Sequence, residues 1–126
     1  MKRLALILTP ALLAVPAAAQ APLALTPAQT MLLRCSAAFA IVAGDQARGD
    51  PTASAYPPLR ERGREYFVRA SAQLMDELGL TREQLAARMN AEAAAQQRAK
   101  ASATDPRAYT DGVMQPCLAG LEASGL

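Results

Sequence analysis

Thr26–Gly44 reads TPAQTMLLRCSAAFAIVAG, and this stretch decides the fold class. Thr26 precedes Pro27, and Gln29 stands three residues after Thr26. A threonine hydroxyl at the cap of a helix accepts from the third backbone N–H, and a Gln at that position reaches back to the cap. Proline at the first helical position gives up only an N–H that would have had no partner. A helix therefore starts here. Met31, Leu32, Cys35, Phe39 and Val42 follow at helical spacing, an apolar stripe for one buried face. Gly44 is expected to supply a left-handed stop, giving a first helix over about 27–43.

A matching stripe closes the chain. Asp105–Leu121 reads DPRAYTDGVMQPCLAGL, with Asp105 and Pro106 as a helix start and Tyr109, Val113, Cys117 and Leu121 spaced four apart. A helix over about 106–123 follows, and Pro116 should kink or split it near 115–116. Cys35 and Cys117 are the only two cysteines. Each lies near mid-height on the inward stripe of its helix, so antiparallel first and fourth helices would bring their sulfurs together. The expectation is one interhelical disulfide between Cys35 and Cys117. Two free thiols or an intermolecular bridge are the alternatives. The separation excludes a Cys-x-x-Cys redox pair, and with no His in the chain a zinc site lacks its remaining ligands.

Between these ends the pattern stays helical. Asp45–Pro58 (DQARGDPTASAYPP) is a long connection, broken by Gly49, Pro51, Pro57 and Pro58. A second helix over about 58–78 buries Leu59, Gly63, Tyr66, Phe67, Ala70, Leu74 and Leu78, and turns Arg60, Glu61, Arg62, Arg64, Glu65 and Arg69 to water. Gly79 ends it. Thr81 with Gln84 repeats the capping box and opens a third helix over about 82–100, with Leu85, Met89 and Ala93 as its apolar rail. From Glu92 to Ala103 that helix offers nothing apolar larger than Ala. It should bury little, fray, and leave a groove beside Leu85 and Met89 fit for a helix or an acyl chain. Nowhere do β-branched and aromatic residues alternate with polar ones as a strand requires. The fold class is all-α, a small up-down four-helix bundle.

The first residues belong to a different category. Lys2 and Arg3 precede an apolar run, Leu4–Val15, and small residues follow through Ala21. This is the layout of a secretory signal peptide over 1–21, cleaved after Ala21 or after Ala19, with one helical domain over 22–126. The run is short for a bilayer span and carries Pro10 and Pro16, so no transmembrane anchor is expected after processing. Export to a bacterial periplasm or beyond would also let the cysteines oxidise.

Charge and composition narrow the function. Removing Lys2 and Arg3 from the 13 cations leaves 11, equal to the 11 anions. A neutral domain in a chain only 4% aromatic has neither the field nor the stacking platform for nucleic acid. With His absent and Lys100 the sole Lys beyond the leader, no activated nucleophile assembles. Glu61 and Glu65 are interleaved with arginines, as on a solvated face. Asp45 and Asp50 lack the alternation of a calcium loop. No cofactor, metal or catalytic residue is expected, and the chain is read as a non-enzyme. The first functional expectation is a binding or accessory factor of the bacterial envelope, monomeric or weakly dimeric. Its candidate partner-binding residues are Tyr56, Arg60 and Arg64. The alternative is a carrier holding a small hydrophobic ligand or lipid between helices.

Overall fold

A computed structural model describes residues 24–126. The expected signal peptide lies outside these residues. The described chain is four helices with no strand: α1 Pro27–Ala47, α2 Arg62–Leu78, α3 Arg82–Ser102 and α4 Pro106–Ala123, with a 3-10 turn at Ala53–Ala55.

Both capping boxes form as their residues dictate. Thr26 Oγ1 accepts from the Gln29 N–H at 3.2 Å while Gln29 Oε1 accepts from the Thr26 N–H at 2.9 Å, and Thr81 with Gln84 repeats the pair. Asp105 caps α4 by accepting from the N–H groups of Arg107 and Ala108. Gly44 does not stop α1, which continues to Ala47. A glycine inside a helix costs about 1 kcal/mol but keeps helical backbone unless something else turns the chain. The left-handed residue after α1 is instead Gly49, at φ 75°.

That extra turn of α1 carries Gln46 to the long connection. Its Nε2 donates to the carbonyls of Ala53, Tyr56 and Pro57 at 3.0–3.2 Å, and its Oε1 accepts from the Leu59 N–H at 3.1 Å. One side chain thus replaces the ladder that the loop backbone lacks. The second helix consequently starts at Arg62 rather than near 58. Leu59 stays in the loop, with its N–H held by Gln46 and its side chain fully buried.

Cys35, Ser36, Ala37, Ala38 and Phe39 are all buried. Five consecutive buried residues cover every side of a helix, so the middle of α1 is the axis of the fold. α1 packs against α2, α3 and α4, whereas α2 and α3 touch each other little. The expected ring of neighbouring helices is therefore drawn in around α1, where small residues allow close approach. A Cβ built on Gly63 would lie 3.1 Å from Phe39 Cβ, so α2 reaches α1 closely there. Beside that contact the Phe39 and Tyr66 rings meet edge to face at 5.1 Å.

Cys35 and Cys117 sit in this core with their sulfurs at bonding distance, 2.09 Å, and Cα atoms 5.2 Å apart. The core around them includes Val42, Ala70, Val113, Met114 and Leu121, and a smaller cluster of Leu74, Leu85 and Met89 lies toward the α2–α3 turn. α4 runs unbroken through Pro116. Pro116 and Gly112 are both exposed, so the carbonyl deprived of its donor stays in contact with water. The Ala-rich end of α3 does not fray either. Gln96 is buried and donates to the Arg34 carbonyl and to Glu92, each at 2.9 Å, which pins that end against α1.

Candidate docking surface

The inward stripe of α2 is Gly63, Tyr66, Ala70 and Leu74. Phe67 follows Tyr66 by one step of about 100° around the helix, which carries it off that stripe. Contrary to the sequence expectation it is 39% exposed, and Val68 beside it is 55% exposed. Met31, also expected inside, shares the stripe of Cys35 and Phe39 but lies toward the start of α1, outside the buried middle, and is exposed.

Phe67 lines two grooves that meet along one side of α2. Toward α1 lies a groove of about 280 Å³, walled by Ala40, Ala43, Leu59, Arg60 and Arg64. Toward α3 the sparse α2–α3 packing leaves a larger one of about 590 Å³, lined by Val68, Ala72, Met75, Leu85 and Met89 with Asp76 and Arg82 at its rim. Leu85 and Met89 border a groove as the sequence suggested. Ser71 also lines it, with its hydroxyl turned in and buried without a hydrogen-bond partner. The two grooves share Phe67 and together form a mainly apolar band, with Arg60, Arg64, Asp76 and Arg82 among its lining residues.

Of the sequence candidates, Arg60 and Arg64 stand exposed on the wall of this band. Neither has an ion-pair partner among the described residues, although Arg48, Arg62, Arg69 and Lys100 each have one. Tyr56 is not with them. It is half-buried in a separate cleft beside Lys100 and Arg107, and its hydroxyl donates to Asp111. Burial, with that hydrogen bond second, pushes its pKa up to about 12. Tyr56 thus anchors the long connection to α4.

Phe67, Val68 and Met75 were missed as surface residues by sequence reasoning. One signal was present: Val68 is a branched aliphatic side chain on the charged side of α2, between Arg64 and Arg69.

The rest of the molecule offers less. The cavity between α1, α3 and α4, lined by Ala38, Ile41, Val42, Tyr109, Val113 and Met114, measures about 30 Å³. That is room for about one water, against the several hundred Å³ usual for a ligand pocket. Lys100 lies 3.5 Å from Asp45, which also pairs with Arg48. The Asp50 carboxyl is held below its usual range by the Thr52 hydroxyl and N–H, and that of Glu77 by the amides of Gln29 and Gln73. Each of these carboxylates has a structural partner. Among the described residues no cluster of three or more His, Cys, Asp or Glu could hold a metal ion, and no helix is long and apolar enough to cross a membrane.

No protein-family model matches the chain, and no curated protein or solved structure shows significant similarity to it.

Proposed function

We propose that the chain is an exported helical binding or accessory factor of the bacterial envelope. It engages a protein partner through the band along α2 and performs no chemistry itself. The observation that carries this reading is the exposure of Phe67 and Val68 over grooves floored by apolar side chains. Exposed apolar surface of that kind is costly in water unless something covers it, and covering it is the energy source of association. Export is supported by the leader pattern of residues 1–21 and by a cysteine pair placed for oxidation. The carrier alternative draws no support from the small interhelical cavity. A photo-cross-linking residue in place of Val68 tests the docking reading in the intact cell. A discrete cross-linked protein supports it, and an unlinked chain counts against it.

A further inference from the structure

We infer that the occupant of this band is a second copy of the chain, with the two α2 helices crossing antiparallel midway between Val68 and Ala72. The inference rests on the docking reading above and adds the identity of the partner. Arg64, Val68, Ala72 and Asp76 recur every four residues, so they form one row along α2, and all four are exposed. Read backwards, the row is Asp, Ala, Val, Arg. An antiparallel second copy therefore sets Arg64 against Asp76 and Val68 against Ala72, twice over, by one two-fold axis. A branched side chain meets a small one at the centre, and opposite charges meet about 18 Å apart at the ends, from the rise of 1.5 Å per residue.

The charges are available for this. Neither Arg64 nor Asp76 makes an ion pair among the described residues. Beside the row, Phe67 comes over Met75 of the opposite copy and into the groove floored by Leu85 and Met89. The two-fold axis uses the whole band at once and closes at two chains, leaving no face for further growth. Beyond Lys2 and Arg3 the chain carries equal numbers of cations and anions, so no net charge repels the copies.

Sedimentation velocity of the purified protein over a concentration series tests this, with Arg64→Asp, Asp76→Arg and the double variant compared with the parent. All the changed side chains are exposed, and far-UV circular dichroism verifies that each variant keeps its helices. The parent should show a monomer–dimer equilibrium. Each single reversal places like charges together twice and should raise the dissociation constant at least about tenfold, and the double variant should return it to within about threefold of the parent. A parent that stays monomeric overturns the inference. So does a dimer indifferent to the single reversals, or a double variant no better than the singles. Cross-linking from position 68 only to a different protein would remove the second copy as occupant while leaving the docking reading in place. Absence of any cross-link would remove both.

Discussion

Replacing Cys35 and Cys117 together by Ala removes the tie between α1 and α4. The two residues lie 82 apart in sequence, and in the chain-entropy relation a closed loop of that length restricts the unfolded chain by about 4.5 kcal/mol. Both side chains are buried to 1% exposure or less, so the missing sulfurs also leave a small void in the core. That adds on the order of 0.5–1 kcal/mol. The expected loss is about 5 kcal/mol, comparable with the whole stability of many domains this small. Urea unfolding followed by far-UV circular dichroism measures it. With an m-value of about 1.5 kcal/mol/M, the midpoint falls by about 3 M, or the variant is already unfolded in water. Reduction of the parent with a thiol should reproduce most of the shift. A double variant within about 1 kcal/mol of the parent would refute the reasoning, because the loop entropy follows from chain length and topology alone.

Two further outcomes follow from the long connection. Gln46→Ala strands three loop carbonyls and the Leu59 N–H; it should cost about 2–3 kcal/mol in urea unfolding and raise proteolytic cleavage between Arg48 and Glu61, whereas a loss under about 0.5 kcal/mol would deny the clamp. Tyr56→Phe breaks the bond to Asp111 and should cost about 1–2 kcal/mol at neutral pH. It should also change the alkaline limb. The folded Tyr56 pKa of about 12 exceeds the ordinary 10.0, so the unfolded chain releases this proton first. The stabilisation is then complete below pH 10 and disappears as pH rises toward 12. The parent should lose stability across that window more steeply than Tyr56→Phe, and parallel curves would count against the assignment.

Local signals were the legible ones. The capping boxes at Thr26 and Thr81 need only neighbours in sequence, and the buried positions Phe39, Val42, Leu74, Leu85, Met89, Val113 and Leu121 lie where helical spacing put them. The pairing of Cys35 with Cys117 followed because both fell on inward stripes. What the sequence hid depends on contacts distant along the chain. Gly44 looked like a stop because nothing nearby reveals that Gln46, two residues on, has a loop to hold. Leu59 looked helical until its N–H found Gln46. The Glu92–Ala103 end of α3 looked poorly anchored because the Arg34 carbonyl that Gln96 meets is distant along the chain. The band escaped for a subtler reason. Phe67 and Val68 are apolar on a helix, so periodicity assigned Phe67 to the core and gave Val68 no role. Phe67 stands one step off the inward stripe, and the meagre contact between α2 and α3 leaves both side chains uncovered.

Site-directed photo-cross-linking in the living cell tests the docking band most directly. The probe is placed at Val68 in one strain and at Gln115, exposed on α4, in another. A discrete product is expected from position 68, lost when Met75→Glu puts a charge in the groove, and none from position 115. Equal labelling from both positions, or none from position 68, would contradict it.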